Sequence, residues 1–209
     1  MFGLDCPICG DFARDPMSSG LARAYGEEAL SKARFAALNG YVLFVPVAPL
    51  VPGYLLLAPA EHRPDVILAT GGAQDAAVLA VLRAMVDLFG HAWAFEHTGG
   101  GVDGPSCVEH GHVHLLPHHP PPELLRCDQS PLGTADVVVR TLNGSVGLRV
   151  SSRRKQHVRR LIADTCELGP TWDWRVFRHG EIYGETCRIL DEILKTLRAK
   201  EGGGDWTLA

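Results

Sequence analysis

The sequence predicts an α+β fold, an antiparallel sheet with packed helices, and three observations carry that expectation. Two short apolar runs, Tyr41-Val42-Leu43-Phe44-Val45 and Tyr54-Leu55-Leu56-Leu57-Ala58, flank a loop containing proline and glycine, which is the pattern of a β-hairpin. Residues 64–90 place Ala76, Leu79, Leu82, Val86 and Phe89 at helical steps, with Asp75, Arg83 and Asp87 between them and Gly90 as a stop. The stretch His110-Gly111-His112-Val113-His114-Leu115-Leu116-Pro117 alternates three histidines with small or apolar residues. A strand with its period of two puts the three imidazoles in a row on one face and turns Gly111, Val113 and Leu115 toward a core.

Length and composition set the frame for these elements. A chain of 209 residues holds one large domain, or one domain with an extension. With 46% hydrophobic and 21% charged residues it has the make-up of a globular protein. A formal charge of −4 provides no basic footprint for duplex nucleic acid. No apolar run approaches the ~20 residues that span a bilayer. Met1-Phe2-Gly3-Leu4-Asp5 lacks a signal-peptide core, so the expectation is a cytoplasmic protein without a membrane partner. In that setting the six cysteines read as thiols or metal ligands, not as a disulfide framework.

Taken in order, Cys6-Pro7-Ile8-Cys9-Gly10 is a CxxC turn that lets two thiolates meet one ion. Structural zinc takes four ligands, and one CxxC supplies two; a redox pair and a pair of small buried thiols are the alternatives. Residues 20–38 have helical spacing through Leu21, Tyr25, Leu30 and Phe35, with a break near Gly26, and Asn39-Gly40 punctuates the chain. Ala92-Trp93-Ala94-Phe95-Glu96 reads as a central strand ended by His97. The glycine-rich loop Thr98-Gly99-Gly100-Gly101 follows, whose backbone amides can approach phosphate oxygens. A flexible loop has the same composition.

His118-His119-Pro120-Pro121-Pro122 breaks regular structure and serves as a hinge between a first unit, 1–120, and an extension, 121–209, packed on it or continuous with it. The extension opens with the hairpin Val137-Val138-Val139-Arg140 and Val146-Gly147-Leu148-Arg149-Val150, turning at Asn143-Gly144. A helix capped by Ser151 or Ser152 then carries Gln156, Arg159 and Arg160, either an anion site or a plain surface helix. Trp172 and Trp174 dock the extension. Residues 182–200 form an amphipathic helix on Tyr183, Cys187, Leu190, Ile193 and Leu197, and a frayed tail begins at Gly202.

The three histidines suit either a metal or nucleophilic and acid–base chemistry, because imidazole titrates near neutral pH. A histidine-rich surface strand is the plain alternative. The pattern His-small-His-apolar-His-apolar-apolar resembles the histidine-triad superfamily. Phe95-Glu96-His97, Ser106-Cys107-Val108-Glu109, Gln156-His157-Val158-Arg159-Arg160 and Trp172-Asp173-Trp174-Arg175 are similar to a bacterial subgroup labelled dinucleoside-polyphosphate hydrolases.

The resemblance implies a histidine-triad-like antiparallel sheet with a C-terminal α/β extension, and chemistry at the α-phosphate of a nucleotide. His112 would form a nucleotidyl-histidine intermediate, with His114 and Ser106 assisting. Asn39, Leu43 and Phe44 of the hairpin would line the nucleoside pocket, although many relatives carry a histidine where this chain has Tyr54. Gly99, Gly100, Gln156, Arg159 and Arg160 would meet phosphates. The resemblance also implies a structural zinc ion on Cys6, Cys9, His62 and His110, no organic cofactor, and a homodimer. The expected activity is a hydrolase. A nucleotidyltransferase or phosphorylase sharing the intermediate, and a non-catalytic zinc-stabilised nucleotide-binding module, are the alternatives.

Overall fold

The structure is a computed structural model that describes residues 6–64, 68, 73–98, 108, 110–150, 156–173, 176, 179–199 and 206–208. Helices α1 (Pro7–Ala13), α2 (Gly20–Tyr25) and α3 (Glu27–Ser31) precede the hairpin of β1 (Phe35–Leu38) and β2 (Tyr41–Phe44). Then come β3 (Leu55–Pro59), α4 (Ala73–Phe89), β4 (Trp93–His97) and β5 (Val113–Leu116). The rest is α5 (Pro122–Leu125), β6 (Asp128–Ser130), β7 (Val137–Thr141), β8 (Gly144–Arg149), α6 (His157–Thr165), α7 (Gly180–Ala199) and β9 (Thr207–Leu208). No helix among the described residues is long and apolar enough to cross a membrane.

The fold is α+β, as the hydrophobic patterns predict. All strands join one open antiparallel sheet in the order β6-β8-β7-β4-β5-β3-β2-β1-β9. The sheet runs across residue 120, because β4 pairs with β7 and sets Phe95 opposite Val139. Period-two alternation sorts the strand residues between two cores. Leu43, Leu57, Ala94, Val113 and Leu115 meet α4 and α7 on one face, through Val81, Leu82, Met85, Ile193 and Leu194. Phe44, Leu56, Phe95 and Leu116 meet α1, α2 and α6 on the other, through Ile8, Leu21, Val158 and Ile162. The second face carries the site.

Several elements differ from the sequence expectation. Helical spacing across 20–38 holds only as far as Ser31, and Gly26 at φ +86° separates α2 from α3. Phe35–Leu38 is instead a strand, because Asn39 (φ +49°) and Gly40 (φ +81°) form a two-residue hairpin turn that sets Leu38 opposite Tyr41. Positive φ at both central residues matches the strand twist, and cross-strand pairing overrides the helix preference of Ala36 and Ala37.

The three-histidine strand is shorter than the alternation suggests. β5 starts at Val113, and Gly111 instead donates to the Arg63 carbonyl at 2.6 Å, so His110 and His112 stand on a turn before the strand. The proline-rich stretch is followed at once by α5 and β6, and the second hairpin closes one residue early, with Thr141 opposite Gly144. The end of the chain is anchored where a frayed tail is expected. Trp206 is buried among the α4 and α7 side chains, its carbonyl accepts from Arg198, and β9 pairs with β1.

Candidate active site and metal centre

α1 begins at Pro7, with Cys6 as its N-cap, so Cys6 and Cys9 fall one helical turn apart. Gly10 presses on the 18–19 turn, where a Cβ would meet the Ser18 backbone at 2.4 Å, so only glycine lets α1 sit this close. The Cys9 Sγ lies 3.3 Å from His62 Nδ1 and 3.4 Å from His110 Nδ1, and the Cys6 Sγ lies 3.6 Å from His110 Nδ1. The four ligand atoms are all within 4.8 Å of one another, so Cys6, Cys9, His62 and His110 form a group that can hold a metal ion.

Three features fit that use. The His110 Nε2–H donates to the Pro59 carbonyl at 2.8 Å, which leaves the Nδ1 lone pair facing both sulfurs. Burial, with the neighbouring Cys6 thiol, pushes Cys9 up to about 12, so a cation is what would draw a thiolate from it. Burial also lowers His110 to about 4, keeping the ring neutral and ligand-competent.

His112 and His114 follow. Their ring centroids are 4.7 Å apart, and both border a cavity of about 90 Å³ that Phe44, Leu56, His97, Gln156 and Arg159 also line. The hydrogen bonds assign the tautomers. His112 Nδ1 sits 2.7 Å from the His110 carbonyl, and a carbonyl only accepts, so Nδ1 carries the proton and Nε2 keeps the lone pair.

His114 is set the other way. Its Nδ1 lies 2.6 Å from the Tyr54 hydroxyl, whose oxygen faces Arg159 Nη1 at 3.4 Å. The guanidinium only donates, so the hydroxyl accepts from it and keeps its own proton available for Nδ1. With the hydroxyl donating, the His114 proton is on Nε2. Phe95, its cross-strand partner, stacks flat on the ring at 4.3 Å and 7°. Burial first, then the charges of His112, His97 and Arg159, holds His114 well below the ordinary histidine range; burial also lowers His112. Burial disfavours the charge on both rings, and with the Tyr54 hydroxyl donating, one ring presents a lone pair and the other an N–H.

Arg159 is 6% exposed and donates to the carbonyls of Trp172 at 3.0 Å and Ala48 at 2.9 Å. Its partners among the described residues, including Tyr54, are neutral, so a buried positive charge stands beside the two imidazoles. Asp11 also lines the cavity, and its Oδ1 accepts from Ser19 Oγ at 2.6 Å and Leu21 N at 3.0 Å.

The structure brings some of the predicted residues to this site and leaves others elsewhere. Phe44, Gln156 and Arg159 line the cavity with His112 and His114. Leu43 does not: it is fully buried on the opposite face, under α4 and α7, because neighbours in a strand cannot share a face. Asn39 sits exposed in the hairpin turn, where its positive φ makes it a turn residue. Arg160 lays its guanidinium over Trp172 at 3.5 Å and is not part of the lining. Ser106, Gly99, Gly100 and the Ser151-Ser152 cap lie outside the described residues, as does Trp174.

Three residues gain roles that the sequence reading did not assign. Tyr54 hydrogen-bonds His114, Asp173 holds Gln156, and His97 faces the cavity. For His97 a signal existed, since counting by two from Phe95 puts it on the His114 face. Against known proteins, the chain matches no protein-family model and no curated protein.

Proposed function

We propose that this chain is a histidine-triad-type enzyme that hydrolyses a nucleotide phosphoanhydride or phosphoester at the α-phosphate. The observation that carries this reading is the packing of the His112 and His114 rings at one cavity, with His112 Nδ1 on the His110 carbonyl and His114 Nδ1 on the Tyr54 hydroxyl. His112 Nε2 attacks phosphorus, a P–N bond forms, and the bond to the leaving oxygen breaks. The ring's new positive charge is shared with the His110 carbonyl through Nδ1–H. The His114 Nε2–H stabilises the charge that develops on the departing oxygen.

In the second half, water attacks phosphorus and the electron pair of the P–N bond returns to His112. The nucleoside monophosphate and a proton leave. Splitting one displacement into two easier ones is the gain of covalent catalysis. The buried Arg159 charge suits a phosphoryl substrate, because an anion would offset a desolvated cation.

We also propose zinc as the ion at Cys6, Cys9, His62 and His110. Two thiols with two imidazoles are a tetrahedral zinc donor set, and ordinary zinc bond lengths put S and N ligands roughly 3.5 Å apart. The observed 3.3–3.6 Å separations agree. When bound, zinc would pin α1 to the His110 turn as a structural clamp. That turn presents the carbonyl that His112 uses.

The test is intact-protein mass spectrometry after a brief acid-free quench. Wild type and His112→Ala are incubated with ADP-, GDP- and UDP-linked compounds and dinucleoside polyphosphates. A nucleotidyl adduct on wild type that is missing from His112→Ala is the expected result. Turnover that survives in His112→Ala contradicts the proposal.

A further inference from the structure

Gln156 occupies an unusual position. It is the N-cap of α6 at φ +60° and ψ +28°, the left-handed region that favours glycine. Its side chain does not cap the helix. It is 3% exposed, lines the cavity beside His112 and His114, and its Nε2–H donates to Asp173 Oδ1 at 3.2 Å. A carboxylate oxygen accepts, so the amide cannot flip without setting oxygen against oxygen. Gln156 therefore presents Oε1, and this buried acceptor has no hydrogen-bond partner among the described residues. Buried polar groups are nearly always paired, and an orphan at a cavity wall is a place for a ligand.

The orphan acceptor decides which ligand group fits. An ionised phosphate oxygen is itself an acceptor and is repelled by Oε1. Arg159, one turn further along α6, is the group at the cavity that attracts it. His97 lines the same cavity, and its buried Nδ1 likewise has no partner among the described residues.

Resting on the nucleotide reading above, we infer that Gln156, held by Asp173, is a specificity residue that reads a hydrogen-bond donor on the nucleoside beside the phosphate. The donor is a base N–H or a ribose O–H, and nucleotides lacking it are rejected. Asp173 is a positioning residue that keeps the amide in its acceptor orientation. A Gln156 free of that carboxylate can turn and present Nε2–H instead.

The test is calorimetric binding to the full chain, with nucleotide pairs that each differ by one donor. AMP is compared with purine riboside monophosphate, GMP with IMP, and AMP with its 2′- and 3′-deoxy forms; inorganic phosphate is the control. Wild type is expected to discriminate at least about tenfold in one pair, since a site built to pair a donor strongly rejects the analogue without it. Gln156→Leu should lose that discrimination while keeping its phosphate affinity. Asp173→Ala, which removes the acceptor and frees the amide to turn, should also lose it.

Wild type binding every pair within twofold, or no nucleotide at all, overturns the inference. So does Gln156→Leu retaining the discrimination, or weakening inorganic phosphate as much as nucleotides. The His112 adduct separates the two proposals. An adduct with discrimination indifferent to Gln156 sinks this inference alone. Donor discrimination dependent on Gln156, without any adduct, sinks the hydrolase reading alone.

Discussion

His110 and His112 are two residues apart, and the fold gives them opposite ends of the same ring to use. His110 donates its Nε2–H to the Pro59 carbonyl and turns Nδ1 to two sulfurs. His112 donates its Nδ1–H to the His110 carbonyl and keeps an Nε2 lone pair next to His114. The ring chemistry is the same in both. The carbonyl each ring meets decides which nitrogen keeps its lone pair, and partners around a histidine commonly set its role in this way.

Breaking the catalytic side should have the largest effect. His112→Ala removes the proposed nucleophile and is expected to lower the single-turnover rate at least about 10⁴-fold, with no adduct formed. Breaking the metal side should act on stability. An ion held at a thousandfold excess over its Kd adds about 4 kcal/mol, which corresponds to roughly 8–16 °C in a chain of this size. Chelator treatment or Cys9→Ser should lower the melting temperature by that order and lower activity with it, through the turn that carries the His110 carbonyl. Equal melting curves with and without chelator would detach the two halves of the comparison.

Tyr54→Phe sharpens the comparison, because it keeps the ring and removes only the hydroxyl that fixes His114. The expected loss is about 10- to 100-fold in kcat with little change in KM, since the altered group acts on developing charge. A changed KM at constant kcat would assign Tyr54 to binding instead.

The smallest effect is a pH dependence. Burial, then the charges of His112 and His157, lowers His97 to about 3. Between that value and the ordinary 6.5 the unfolded chain binds the proton and the native chain does not, so stability rises with pH across this window. The contribution is complete above pH 6.5 and about 1.4 kcal/mol has gone at pH 5.5. Denaturant titrations at pH 7.5 and 5.5 should show His97→Phe losing about that much less stability than wild type. An identical loss would mean that His97 is protonated in the folded chain.

Much of this was legible in the sequence, and the reason is local. Residues 41–44, 55–59, 93–97 and 137–149 carry strand signals within a few residues of each other, and the CxxC and the histidine alternation are short patterns. The role of Phe44 follows from alternation, and so should the exclusion of Leu43, its neighbour on the opposite face. What stayed hidden depends on contacts between distant residues. Phe35–Leu38 has helix formers in it and becomes a strand through pairing with Tyr41–Phe44 and Thr207–Leu208. Tyr54 looked like a departure from a pattern, and only its contacts with His114 and Arg159, 60 and 105 residues away, reveal its part. Arg159 and Arg160 are indistinguishable as letters. Helix geometry sends one to the cavity and the other onto Trp172.

The central claim is that two neighbouring imidazoles are neutral and held in opposite tautomers. Long-range ¹H–¹⁵N correlation spectra of ¹⁵N-histidine-labelled protein at pH 7, assigned with His112→Ala and His114→Ala, test it directly. The account predicts a proton on Nδ1 of His112 and on Nε2 of His114. The same tautomer at both positions, or an imidazolium at His112, would contradict it.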